Sequence, residues 1–449
     1  MSYIPHTDED LAKMLSTIGK KSVDEILQEQ IPNELLMGEN PDFPEGLCES
    51  QLFAYLEEIA KKNCSLRELN SFLGAGVYEH YIPAVVDTLS SRGEFYSAYT
   101  PYQAEASQGA LQAFFEFQTM IAQLVGLDAA NASMYDGSTA LAEGILMAKN
   151  ITKKSKVLLP QSLHPEYRQT VQTLLKHQLS FGFVPCCEES GQVELEALEG
   201  LLGGDVAAVV VQTPNFFGVM EELDGIASLA HGADALLVVC VVDPLSLGLF
   251  EAPGQKGADI VVGEAQSLGN PASLGGPSVG FLAAKRDYLR RMPGRIVGQT
   301  VDAEGEVGYV LTLQTREQHI RRERATSNIC TNQALLALRT TIYLSLLGRV
   351  GFGELSNLCC QRAHYLAREV EGIEGFSLRY RGPFFREFTL VCPLPAEEVV
   401  RKCLKHNILA GLPLHRYFSK REDELLVAVS EANSRAKLDA FVGILRKLG

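Results

Sequence analysis

Six short runs constrain this chain more than anything else in it: KVLLP (156–160), FGFVP (181–185), DVAAVVV (205–211), ALLVVCVV (235–242), ADIVV (258–262) and VGFLAA (279–284). Apart from Lys156, Asp205 and Asp259 near their starts, each is apolar throughout instead of at every second residue. A strand with one wet face alternates, whereas a strand covered on both faces has no reason to. Helical patterns lie between the first four runs: HPEYRQTVQTLLKH, ELEALEGLL and MEELDGIASLAHG. This rhythm predicts an α/β fold, with a mostly parallel sheet and helices on each side.

The flanks read differently. Residues 1–70 are polar and mostly helical in pattern. TDEDLAKMLSTIG has Thr7 or Asp8 as a possible N-cap and Gly19 as a stop, and CSLRELNSF begins another short helix. The segment reads as a helical arm that packs on something else. SQGALQAFFEFQTMIAQLVGL reads as a long helix capped by Ser107 and ended by Gly126, and a second helix follows DGST. Near residue 330 the strand–helix rhythm stops. TNQALLALRTTIYLSLLG and GELSNLCCQRAHYLAREVEG read as long helices. Beyond them FSLRY, REFTLVC and ELLVAVS mix with two more helices. The expected division is an arm at 1–70, a large α/β domain at 71–330 and a small α+β domain at 331–449.

Charge and cysteine usage narrow the function classes. A net charge of −15 repels phosphate backbones and anionic lipid, and no basic patch with interleaved aromatics offsets it, so neither nucleic acid nor a membrane surface is an expected partner. MSYIPHTDEDLAKML lacks the pattern of a signal peptide, and ALLVVCVV is too short to span a bilayer. The expectation is a cytoplasmic protein with reduced thiols, since its ten cysteines include no C-x-x-C pair. Nine histidines without H-x-x-x-H spacing argue against a metal site.

Several junctions could carry chemistry. YDGSTALAEG puts Gly137, Ser138 and Thr139 at a helix start, where free N–H groups would suit a phosphate, although these residues are also ordinary helix starters. Asp243 follows a buried strand and could pair with a pyridinium nitrogen, or cap a turn before Pro244. His164 opens a helix after a strand; it could stack on a cofactor or be structural. AYTPYQAEASQG packs Tyr99, Tyr102, Gln103 and Glu105 into one loop suited to a binding surface or an interface. TREQHIRRERATSNICTNQ holds Arg316, Arg321, Arg322 and Arg324, either an oxyanion clamp or a solvated face paired with Glu317 and Glu323.

A longer set of motifs is more specific. SFLGAGVYEHYIPAVVD, EFYSAYTPYQAEASQGALQAFFEFQTMIAQLVGLDAANAS, MYDGSTALAEG, VVGEAQSLGNPASLGGPSVGFLAAK and TREQHIRRERATSNICTNQAL closely resemble the glycine decarboxylase family, the P-protein of the glycine cleavage system. The likeness is to its N-terminal half, which in some organisms is a separate α subunit, and it spans nearly the whole chain.

The resemblance implies the type I fold of pyridoxal-phosphate-dependent transferases. It also implies that the cofactor's lysine lies on a β subunit; here the loop GEAQSLGNPASLGGPSVGF, aligned by its GGPxxG ending, places Gln266 where that lysine would be. An amide cannot form an imine with an aldehyde. Gly137, Ser138, Thr139, His164 and Asp243 would then be a vestigial pocket with no covalent cofactor. The family reaction releases CO2 from glycine with the cofactor ring as electron sink, then passes the aminomethyl group to the lipoyl group of H-protein, an oxidoreductase step overall. Tyr99, Tyr102 and Gln103 are candidates for a wall of the partner's active site, with Arg324 facing the lipoyl carrier, in an assembly expected to be α2β2. Two alternatives stand beside this one. One is a self-sufficient enzyme using Lys256 or Lys285; the other is a non-catalytic scaffold.

Overall fold

All six runs become strands of one sheet. The computed structural model describes residues 5–37, 42–96, 100–325, 327–329 and 332–449. In chain order the sheet strands are β1 (Ala129–Ala130), β2 (Lys156–Pro160), β3 (Ser180–Val184), β4 (Val206–Gln212), β5 (Leu236–Val241), β6 (Ile260–Glu264) and β7 (Gly280–Ala284). Their spatial order is β1-β7-β6-β5-β4-β2-β3. Strands β2 to β6 are mutually parallel, and β7 runs antiparallel to both β6 and β1.

The continuous apolarity has a simple cause. Every residue of β4, β5, β6 and β7 is buried. Alternate residues feed two different cores. Val209, Val211, Leu237, Val239 and Val261 pack with Phe117, Ile121 and Val125 of the helix Gln108–Val125. Val210, Val238, Cys240 and Val262 pack on the other face with Leu141, Ile145 and Val171, from the helices Gly137–Thr152 and Pro165–Leu175. Gly126 ends the first of these helices in the left-handed conformation, as read from the sequence, whereas Ser107 sits at its start without a side-chain cap.

The long helix Ala334–Glu371 is broken at Gly348 (φ 58°), which reconciles it with the two helices expected there. Among the described residues it alone has the length and apolarity to cross a bilayer. Yet Ala337, Tyr343, Phe352 and Cys359 belong to the first core. Beyond it, Ser377–Leu378, Glu387–Val391, Glu424–Ala428 and Leu412–Pro413 form an antiparallel sheet in that spatial order. Phe388, Leu390, Leu425 and Val427 from this sheet share a further core with Phe72 and Phe441.

Contacts group the chain into Met1–Cys64 and Ser65–Gly449. In the first group the helices are Asp8–Thr17, Val23–Gln30 and Glu49–Ala60, and none of its described residues is buried. Thr7 is the N-cap of the first, closing a capping box with Asp10. Two local expectations differ. Ser65–Leu69 forms turns, not a helix, because Asn70–Ser71 is drawn out to pair in parallel with Ile408–Leu409. The hairpin Ile296–Val301 with Val307–Thr312 went unread, since only two of its twelve residues are buried and polar residues interrupt it.

Candidate functional site

His164, Asp243 and Gln266 follow β2, β5 and β6, and all three lie at the carboxyl edge of the parallel strands, where α/β sheets collect ligands. The segment Gly74–His80 runs into this edge. Gly76 adopts φ +93°, and a Cβ there would lie 3.0 Å from Val242 and 3.6 Å from the His164 ring. The backbone of the segment therefore occupies the space beside that ring.

Each expected pocket residue is engaged by this chain's own atoms. The Gln266 amide accepts from the Tyr78 N–H at 2.9 Å and donates to the Tyr78 carbonyl at 3.2 Å and the Asn270 carbonyl at 2.8 Å. Asp243 is ion-paired through both oxygens to the Arg386 guanidinium, with Nη2 to Oδ1 at 2.7 Å. Arg386 also lies 3.9 Å from the centroid of the Tyr78 ring and contacts His80 Nε2 at 2.7 Å. His80 in turn bonds Glu431 through Nδ1 at 2.7 Å. Burial and the nearby guanidinium hold the His80 pKa down, so a neutral ring accepts from Arg386 and donates to Glu431. The His164 ring contacts the Ala75 carbonyl at 3.0 Å and accepts from the Glu166 N–H at 3.2 Å, capping its own helix.

The helix start at Gly137 is filled as well. Asp136 accepts from the Thr139 N–H at 2.9 Å and the Ser138 hydroxyl at 2.6 Å, and Glu264 accepts from the Gly137 N–H at 3.0 Å. A cleft of about 420 Å³ remains beside it, lined in part by Asp136, Glu166, Glu264 and His164. Three acids around it make a poor host for a phosphate. Burial pushes the Glu264 pKa up to about 7, against the donors Ser278, Gly137 and Val279. Glu387, also raised to about 7 by burial, accepts from the Tyr78 hydroxyl at 2.6 Å and the Ala75 N–H at 2.7 Å.

The residues present do not fit pyridoxal phosphate. No amine stands at position 266, the acid meant for a ring nitrogen already has a guanidinium, and carboxyl groups take the helix N–H groups. The roles considered for Gly137, Ser138, Thr139, His164 and Asp243 are thus filled by ordinary structural contacts. The two alternative lysines lie at the other edge of the sheet. Lys285 follows Ala284, which pairs with Ile260 at the start of β6, and it bonds Asp259 at 2.5 Å. Lys256 precedes β6 and pairs with Asp224 and Glu251 at 2.9 and 2.6 Å.

The wall candidates separate. Tyr99 lies outside the described residues. Tyr102 is exposed, but its hydroxyl accepts from Arg295 at 3.2 Å and its ring meets His319 edge-on at 6.4 Å between centroids. The structure therefore brings Tyr102 to His319 of the arginine-rich segment. Gln103 is exposed at the start of a short turn. Arg324 is exposed beside Glu323 at 3.7 Å and lines a different cleft, with Glu143 and Ser327. Arg316 is no clamp, because its guanidinium donates to the Met292, Gly294 and Leu313 carbonyls. Sequence reasoning missed Tyr78, Arg386, Glu387 and Arg295. SFLGAGVYEH was visible only as part of a resemblance, and REFTLVC only as a strand.

The glycine cleavage system P-protein model matches residues 1–445. The chain belongs to the glycine cleavage system P-protein family. A protein of Desulforamulus reducens described as probable glycine dehydrogenase (decarboxylating) subunit 1 is 50% identical over 445 residues, 99% of each chain. Its namesake from Chlorobium phaeobacteroides is 48% identical over 448 residues, the full length of both. A crystal structure of glycine decarboxylase (P-protein) in inhibitor-bound form matches with a TM-score of 0.91 at 42% identity, covering all of both chains. A C-DES mutant with glycine covalently linked to its PLP cofactor matches at a TM-score of 0.63, covering 86% of this chain and 98% of that one, at only 17% identity. The P-protein family chain thus has the type I fold of pyridoxal-phosphate enzymes, as expected.

Proposed function

We propose that this chain is the α subunit of a heteromeric glycine decarboxylase, the P-protein of the glycine cleavage system. A second, lysine-bearing subunit holds pyridoxal phosphate, which supplies the electron sink for release of CO2 from glycine. The aminomethyl group passes to the lipoyl group of H-protein. Tyr99, Tyr102 and Gln103 belong to a wall of the partner's active site, and Arg324 faces the lipoyl carrier. The assembly is α2β2 and cytoplasmic, with a helical arm at 1–70 and a small domain from about 331.

One observation carries this reading. Gln266, at the lysine position, is bonded to both backbone groups of Tyr78, in a chain whose relatives are named as subunit 1. The subunit's own part is to close a pocket it no longer uses and present its surface to the partner. The test is reduction of the isolated chain with borohydride in the presence of pyridoxal phosphate, followed by peptide mass analysis. No labelled lysine is expected, with activity only after the second subunit is added. A stoichiometric label on one lysine would overturn the proposal.

A further inference from the structure

Arg295 is a buried cation without a counterion among the described residues. It is 3% exposed and immediately precedes the hairpin strand Ile296–Val301. Its guanidinium donates to the Tyr102 hydroxyl at 3.2 Å and, weakly, to Asn332 Oδ1 at 3.4 Å. Its Nε has no partner, and it forms no ion pair among the described residues. The chain handles Arg386 and Arg316 differently. Arg386 has both oxygens of Asp243, and Arg316 has three carbonyls. Burying a charge without compensation is strongly unfavourable. The Tyr102 ring, 5.2 Å from the guanidinium carbon, offsets only part of that.

The surroundings offer a further donor. The Ser133 hydroxyl accepts from Asn332 Nδ2 at 2.8 Å, which leaves its own proton free to donate. Tyr102 is 58% exposed, and among the described residues its hydroxyl makes a single hydrogen bond. A guanidinium fork with a free Nε, the Ser133 hydroxyl reached through Asn332 and an exposed phenol form an arrangement for a small oxyanion.

We propose that Arg295, beneath Tyr102, binds a carboxylate or phosphate presented by the docked second subunit: the carboxylate of the amino-acid substrate or the phosphate of the cofactor held there. This rests on the α-subunit reading above. The experiment compares Arg295→Met and Arg295→Lys with the unaltered chain, each assembled with the second subunit. The Michaelis constant for glycine, the dissociation constant of pyridoxal phosphate and the Michaelis constant for H-protein are measured on the assembled fraction isolated by size exclusion.

Arg295→Met should raise one of the first two constants tenfold or more and leave that for H-protein unchanged. Arg295→Lys keeps the cation, loses the fork and should fall between. A rise for glycine identifies the carboxylate, and a rise for pyridoxal phosphate the phosphate. If both constants stay within twofold while only assembly or melting temperature falls, Arg295 is a packing residue and the proposal is overturned. The α-subunit reading fails on a separate readout, a labelled lysine on this chain.

Discussion

The side chain of Gln266 and the backbone of Tyr78 are paired in both directions, N–H to Oε1 at 2.9 Å and Nε2 to carbonyl at 3.2 Å. An amide can do this because it carries an acceptor and a donor side by side. An ammonium has donors only.

Gln266→Lys therefore should not create a cofactor site. It would strand the buried Tyr78 N–H and place a cation 3% exposed beside Asn270. We expect a loss of about 2–4 kcal/mol in urea unfolding. Borohydride reduction with pyridoxal phosphate should leave residue 266 unmodified. A stoichiometric label there would show that the Gly74–His80 segment yields to the cofactor.

Arg386 and Asp243 form the most buried ion pair of the site, at 1% and 3% exposure. Removing either partner leaves the other charged and unpaired. Arg386→Met and Asp243→Asn should each cost about 3–5 kcal/mol. The double variant should lose clearly less than the sum, because neither lone charge remains. Additive losses in the double-mutant cycle would mean that the pair is not coupled.

Glu264 sets a pH dependence with a definite sign. Its folded pKa, about 7, lies above the ordinary 4.5, so the folded chain holds this proton more tightly than the unfolded chain does. The associated stability is full below pH 4.5 and is lost as pH rises through about 7. Glu264→Gln removes the titration. The stability of the unaltered chain relative to this variant should drop by about 3 kcal/mol between roughly pH 4 and pH 8. A difference that stays constant with pH would place the carboxyl near its ordinary value.

Gly218 lies behind Glu387 at φ +90°, and a Cβ there would come within 2.1 Å of the Glu387 carbonyl oxygen. Gly218→Ala should destabilise the chain by several kcal/mol, on the order of 3–5, since both the backbone conformation and the contact oppose it. Circular dichroism melting checks this. A melting temperature within about 2 °C of the unaltered chain would contradict the contact.

The parallel sheet was legible because burial on both faces writes itself into consecutive residues. Val209 and Val210 are adjacent in sequence and serve opposite cores. The absence of an amine at position 266 was legible from one letter, Gln266. The hairpin from Ile296 was harder, because partial exposure dilutes any pattern. What engages the pocket residues left no local trace. Tyr78, Asp243, Gln266 and Arg386 come from four distant stretches, and Arg386 reads as an ordinary charge at the start of a strand.

The sequence by itself determined the layered α/β architecture, the family and the absence of an imine-forming side chain at position 266, since these depend on local pattern and residue type. Only the tertiary structure decided that the pocket residues bond to the chain's own atoms, that Asp243 answers a guanidinium and that Arg295 lacks a counterion among the described residues. Charge compensation depends on which groups meet across long separations, and the chain's local order does not encode those meetings.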